Sequence, residues 1–360
     1  MAVLRSDIII PEVFTPYVIE QTTAKDAFLA SGVVTPMAEL NATEGGDFVN
    51  VPSFSANLLG DFERLTDSTS LTPSKIGTGK QIGVILHRGK AFESRDLAAL
   101  AAGADPMAAI AQKVGAFVAN QRQKDLLACL DGVFGEIGTD NASSGTALNQ
   151  LTMDNEGSTA SIMSPRHVAR AKALLGDAGD KLTAVCVHSA VYYDLVERKL
   201  IDYVLASDVT SGGSQTTVEA GGTIAAAYGG DGTVPTYCGL RVIISDDVPV
   251  STVGQAENAD TIYGSYFFTQ GAIGSGEQAG LTTETDRDIL AKSDAMAIDL
   301  HYCYHPIGTT FKAKDAQDGT VGARGPANPT RDQLKTTTNW SRVFELKNIG
   351  IIRASNKSSH

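Results

Sequence analysis

The sequence is short of the residues and patterns by which most chains declare a chemistry. Its four cysteines, Cys129, Cys186, Cys238 and Cys303, lie far apart with no CxxC pair. That spacing disfavours a disulfide framework or a cysteine metal site and favours isolated buried thiols in a reducing compartment. Basic residues are outnumbered, 29 Lys and Arg against 41 Asp and Glu, for a net charge of −12. Without a basic cluster the chain is poorly equipped to grip nucleic acid, because phosphate binding is driven by Lys and Arg. No run approaches the ~18 apolar residues of a membrane span. The opening MAVLRSDIIIPEVF carries a single basic residue and reads as neither a signal nor a transit peptide. There is one tryptophan, whereas 36 glycines predict many turns and extended loops. What is present is 360 residues with 42% hydrophobic content and a mean hydropathy near zero. That is a soluble globular composition, long enough for two lobes or one elaborated domain.

The strongest positive signal is a helix over about 105–135. Asp105 suits the cap and Pro106 the first helical position, where a missing N–H costs nothing. Met107, Ile110, Ala111, Val114, Phe117 and Val118 recur at spacings of three and four, and Leu126, Leu127, Leu130, Val133 and Phe134 resume the stripe. Such a helix spans roughly 45 Å, longer than an ordinary domain requires. The break at 119–125, with QRQKD at 121–125, predicts a polar contact point or a bend midway.

Around it the chain falls into blocks. An apolar start, IIIPEVF, and a partial helical stripe read as an arm over 1–42. Segments 47–56 and 81–94 read as strands of a long hairpin within 43–95, with a polar Gly/Ser/Thr-rich tip between them. A lone subunit has no core to order so long a loop, whereas a neighbouring subunit that covers it does. A polar stretch at 138–161 marks a boundary. Residues 162–305 read as an α/β lobe: a helix capped by Ser164-Pro165 and stopped at Gly176, a strand at 182–188, and a second helix capped by Ser189. A Gly/Thr-rich loop at 206–235 follows, then strands at 239–245, 262–273 and 295–307. After a polar loop at 308–335, residues 339–354 return to strand pattern.

Catalytic and ligand motifs fail one by one. GTGK at 77–80 lacks the GxxxxGK[ST] spacing, because position 74 is Ser and Gln81 follows the lysine. His301, Cys303 and His305 alternate along a predicted strand and can share a face, but no fourth ligand or activating carboxylate is identifiable, and sheet packing is the stronger reading. VHSAV around Ser189 is not GxSxG. Asp246-Asp247 has ordinary turn chemistry. Glu284, Asp286 and Asp288 read as an outward acidic edge balanced by Arg287. Trp340 reads as a core or subunit-contact anchor. No His sits in a coupled nucleophile context, so neither catalytic, cofactor nor metal residues are expected, and the chain is expected not to be an enzyme.

The order of parts is itself informative. IIIPEVF…Y at 8–17 with GDFVNVPSF at 46–54, the run SPRHVARAKALL…LTAVCVHSAVYYDLVERKLID at 164–202, GLRVIISDDVP at 239–249 and NWSRVFELKNIGIIRA at 339–354 together resemble the major capsid proteins of tailed bacteriophages with the Hong-Kong-97-type fold. The resemblance implies an α+β fold with an N-terminal arm (1–42), an extended E-loop hairpin (43–95) and a P domain (96–161) carrying the spine helix (about 105–135). An α/β A domain (162–305) and a return to the P domain with a C-terminal strand (306–360) complete it. It implies self-assembly into an icosahedral shell of hexamers and pentamers around phage double-stranded DNA, built in the cytoplasm of the bacterial host. The chain lacks a long coiled N-terminal extension, which implies a separate scaffolding protein. A portal protein at one vertex, room for a decoration or cement protein, weak non-specific contact with DNA, and no membrane partner complete the expectation. Lys75 and Lys80 lie in the hairpin, but no matching Asn or activating acid is found, so crosslinking is not expected. Two alternatives stand beside this reading: an encapsulin-like compartment around a cargo enzyme, and a metal-dependent α/β enzyme using the His301, Cys303 and His305 face.

Overall fold

The computed structural model describes residues 28, 31–41, 45–54, 78–96, 106–135, 137, 147–153, 161–205, 233–253, 260–311 and 326–358. Most of the arm expected over 1–42 (1–27), most of the hairpin tip (55–77), the cap at Asp105, and the loops at 138–146, 206–232 and 312–325 lie outside the described residues. The described end of that arm is not free, because Val34–Pro36 pairs with Ile273–Ser275 of the same chain.

In chain order the strands are β1 (Val34–Pro36), β2 (Phe48–Phe54), β3 (Thr78–Val84) and β4 (Leu86–Arg95), followed by the long helix α1 (Pro106–Phe134). Next come β5 (Thr152–Met153), β6 (Ser161–Ile162), α2 (Pro165–Leu175), β7 (Leu182–Val187), α3 (Ser189–Glu197) and β8 (Ile201–Leu205). Then follow β9 (Thr233–Tyr237), β10 (Leu240–Ile244), β11 (Val250–Val253), β12 (Asp260–Thr269), β13 (Ile273–Asp288) and β14 (Ser293–Pro306). The chain closes with β15 (Thr309–Phe311), a short helix Arg331–Lys335, β16 (Trp340–Arg342) and β17 (Ile351–Lys357).

Two sheets carry the molecule. One has the order β1-β13-β14-β4. The other, of nine strands, runs β5-β17-β12-β7-β10-β9-β8, with β11 added to β12 and β6 to β17. The strand expected over 81–94 is interrupted at Ile85, whose N–H bonds to the Asp47 carbonyl at 3.0 Å. Before the break the chain pairs with β2, and after it β4 pairs with β14. The composition boundaries at 161/162 and 305/306 therefore do not coincide with the sheet edges. β13 and β14 leave the lobe to join β4, while β17, from the far end of the chain, pairs with β12 inside the nine-stranded sheet.

Helix α1 joins the two sheets. Val114 and Val118 in its first half pack with Met296 and Ile298 of β14 and with Phe92 of β4. Leu126, Leu127, Leu130, Val133 and Phe134 in its second half enter the main core with Tyr266, Phe267, Phe268, Ile351 and Ile352. Both faces of β12 are buried, which suits a run of aromatics without polar alternation. The helix ends at Gly135, whose φ of 83° is the left-handed conformation that only glycine adopts freely. Arg353 of β17 is fully buried, and its guanidinium donates to the carbonyls of Phe134 and Gly135. A cation there satisfies the orphan carbonyls of the helix end and complements its dipole, which is why a charge is tolerated in the core.

Candidate assembly surfaces

The polar interruption of α1 is where the helix is clamped, and the helix runs through it unbroken. Asp125, 1% exposed, accepts from Tyr302 Oη at 2.7 Å, Arg331 Nε at 2.8 Å and Arg88 Nε at 3.2 Å. One carboxylate thus fastens α1 to β14, to β4 and to the C-terminal segment. Burial, and then the neighbouring Asp125 charge, pushes the Tyr302 hydroxyl well above the usual tyrosine range. Arg122 lies over the rings of Tyr302 and Tyr304, 5.3 and 5.6 Å from their centroids, and donates to Tyr304 Oη and Glu277. Gln123 donates to Ser245 and Asp247, and Lys124 pairs with Asp247 at 3.5 Å. These contacts lie within one copy of the chain, and the one from Arg88 comes from the second strand of the expected 43–95 hairpin. They make α1 a strut that holds both sheets in fixed relation.

The residues weighed for chemistry are dispersed by the fold. His301 meets His87 across the β4–β14 ladder, Nδ1 to Nδ1 at 2.6 Å. Cys303 is buried, and burial pushes its thiol up to about 12. His305 is buried elsewhere, its Nε2 3.3 Å from Gln81 Oε1. Among the described residues no group of three His, Cys, Asp or Glu is arranged to hold a metal ion. The cap of α3 is His188, whose Nδ1 accepts from Ala190 N at 3.1 Å, rather than Ser189, which is already helical. The cap expected at Ser164 is present, with His167 returning to it and Gly176 ending α2. Thr78, Gly79 and Lys80 open strand β3 opposite β2 rather than forming a phosphate loop. Asp247 clips α1, and Asp246 approaches His188 at 3.9 Å. Glu284, Asp286 and Asp288 are exposed along the outer end of β13. Trp340 is 1% exposed, donates to the Leu334 carbonyl and packs edge-on against Phe311.

The break at 119–125 marked the stretch that holds Asp125 as a polar contact point but not its partners, and Arg353 and the pairing of His87 with His301 carried no local signal. These partners lie 37 to 219 positions away, beyond the reach of any local pattern. Several large apolar side chains are exposed. Phe54 is 71% exposed at the outer end of β2, and Ile289 and Leu290 are 80% and 97% exposed between β13 and β14. The base of the β2–β3 hairpin is anchored by Phe48 stacking on Phe311 and by Ile82 N donating to Thr310 Oγ1 at 3.0 Å.

Comparison with known proteins bears on what these surfaces serve. A family model described as "Major capsid protein 13-like" matches residues 23–286. The major capsid protein of Bacillus phage SPP1 is 35% identical over 353 residues, covering 97% of this chain and 96% of that protein. Among solved structures, the capsid of Ralstonia phage GP4 superposes with a TM-score of 0.58 at 10% identity over 94% of this chain and 92% of that one. The cyanophage Pam1 capsid asymmetric unit does so with a TM-score of 0.51 at 12% identity over 87% and 86%. At those identities the structures speak for the fold alone, and it is the α+β, Hong-Kong-97-type fold. Neither an encapsulin-like compartment nor a metal-dependent enzyme is favoured by these matches. With the family model matched over 23–286 and 35% identity to a phage coat protein along nearly the full length of both, the chain belongs to the Gp13-like family of phage major capsid proteins.

Proposed function

We propose that this coat protein assembles through contacts repeated between its own copies into a closed icosahedral shell of hexamers and pentamers around phage double-stranded DNA. The observation that carries the reading is the 35% identity to a phage major capsid protein over nearly the whole of both chains. Shell stability then comes from many modest interfaces multiplied by symmetry. Within the 1–42 arm, β1 pairs with β13 and Phe28, Val33 and Leu40 are buried in this chain's own structure. The part that reaches around an adjacent subunit is therefore 1–27, and the outer part of the 43–95 hairpin, beyond β4, lies over a neighbour. The P domain comprises α1 and the returning C-terminal segment, and the pairing of β4 with β14 supports adding β4, counted on sequence with the 43–95 hairpin, to it. The pairing of β13 and β14 with β4 supports counting them with the P domain, leaving the rest of 162–305 as the A domain. A separate scaffolding protein, a portal protein at one vertex, and assembly in the host cytoplasm belong to the same proposal. DNA is held by confinement, which suits a chain of net charge −12.

The test removes the hairpin tip without touching β2 or β3. A chain with residues 57–77 replaced by a two-residue turn is expected to give a folded, soluble subunit that no longer forms particles by sedimentation and negative-stain imaging. Normal particles from that variant overturn the role given to the hairpin.

A further inference from the structure

Under the middle of α1 lies a cavity of about 290 Å³, open to solvent and bounded by β4 and β14. Its walls are of two kinds. Phe117, Val118, Ile298 and Leu300 make it apolar, while Arg88, Lys90, Arg122 and Arg331 ring it with four cations against the single carboxylate of Asp125. Arg88 and Arg331 bind Asp125, and Arg122 reaches Glu277. Lys90 has no ion-pair partner among the described residues and is exposed. On a chain of net charge −12, this is a local excess of positive charge around an apolar floor.

The β13–β14 tip is its complement. Ile289 and Leu290, 80% and 97% exposed, are the most exposed large apolar side chains among the described residues. They follow Glu284, Asp286 and Asp288, none of which forms an ion pair with a described residue. Arg287 is occupied by Asp96 at 2.7 Å and Asp294 at 2.8 Å, and Lys292 is the other cation of the turn. The tip is held in shape: Asp288 Oδ1 accepts from the N–H groups of Leu290 and Ala291, and Asp96 N donates to the Lys292 carbonyl. An apolar pair on a fixed turn loses little freedom when it docks.

The geometry points to the Ile289–Leu290 tip of one copy seating in the cationic pocket under α1 of a second copy. The tip cannot reach its own pocket, because Ser293 and Leu300 lie on one extended strand and are separated by roughly 23 Å. Knob and pocket are different patches of the same chain, so the contact is head-to-tail and repeats from copy to copy until a ring or shell closes it. This inference rests on the shell-building reading above and names one of its contacts.

Cross-linking in assembled particles tests it. In a Cys238→Ser background, Leu290→Cys combined with Lys90→Cys is expected to give a ladder of covalent oligomers when particles are treated with oxidised glutathione. Either cysteine alone is expected to leave the chain uncross-linked. The exposed double variant Ile289→Ser/Leu290→Ser is expected to raise the concentration needed for assembly about tenfold or more while leaving the melting of the unassembled subunit unchanged. Normal particles of the double-cysteine variant with no covalent ladder, a ladder from Leu290→Cys alone, or unaltered assembly by the serine variant each overturn the contact and leave the shell reading standing. If the wild-type chain forms no particles under any assembly condition, the shell reading falls and this contact falls with it.

Discussion

Gly132, inside α1, is a position where helix propensity and tertiary packing demand opposite outcomes. Replacing a helix-interior glycine by alanine ordinarily stabilises a helix by about 1 kcal/mol. Here a Cβ would stand 2.0 Å from the Leu334 carbonyl oxygen and 2.4 Å from Trp340 Nε1. Both belong to the segment that closes against the helix, and Trp340 Nε1 donates to that same carbonyl at 2.8 Å. The carbonyl is backbone, so the segment Arg331–Arg342 has to move by more than 1 Å to restore ordinary contact. Overpacking of this kind costs about 1 to 3 kcal/mol, and loss of the buried hydrogen bond adds about 1 kcal/mol. Set against the propensity gain, Gly132→Ala is expected to destabilise the subunit by about 1 to 3 kcal/mol. Trp340 is the only tryptophan, so urea unfolding of unassembled subunits followed by its emission reads both stability and local environment. Gly280→Ala, where a Cβ meets nothing within 4 Å, is the control. A Gly132→Ala subunit with a raised urea midpoint and native Trp340 emission would refute the packing argument.

Other expectations follow from the buried polar groups. Asp125→Asn removes the counter-charge of Arg88 and Arg331; because both side chains reach solvent, the expected loss is about 2 to 3 kcal/mol, at the low end for a broken buried pair, measured by denaturant midpoint. Burial lowers the His305 imidazole from its ordinary 6.5 to about 4, with the backbone at Thr309 opposing. Its folded value lies below its unfolded one, so as pH falls from about 6.5 the unfolded chain takes up the proton first. The stability held above pH 6.5 is lost progressively down to about pH 4, by about 3 kcal/mol, and His305→Asn is expected to flatten that part of the pH–stability curve. Cys129, Cys186 and Cys303 are buried and Cys238 is exposed. A thiol reagent is expected to label one cysteine in the native subunit and four after unfolding, as counted by mass spectrometry; a second rapidly labelled thiol would contradict the packing of β7, β14 or α1.

What was legible in the sequence was what local patterns encode. The 3.6-residue stripe and Pro106 mark α1, and the structure spans Pro106–Phe134 against an expected 105–135. Ser164-Pro165 and Gly176 bracket α2 because caps are set by the backbone groups they satisfy. The strand pair at 47–56 and 81–94 was legible as extended chain, yet not as two strands with different partners. Ile85 is apolar like its neighbours, and only its bond to Asp47 ends one ladder and starts the next. The alternation of His301, Cys303 and His305 was equally visible and misleading as a metal hint. A shared strand face brings three side chains onto one ligand only when a cavity lies there, and here Cys303 and His305 pack around Gly83 while His301 meets His87.

From the amino-acid sequence alone came the α+β class, the long helix, the acidic character and the resemblance to phage coat proteins. These are properties of composition, period and order. Tertiary structure alone decided which strands share a sheet, that β17 enters the nine-stranded one, that Asp125 gathers two arginines and a tyrosine, and that Arg353 closes the end of α1. Those contacts join residues as much as 219 positions apart. Their energy depends on burial and geometry that exist only once the chain has folded, so no local stretch carries their trace.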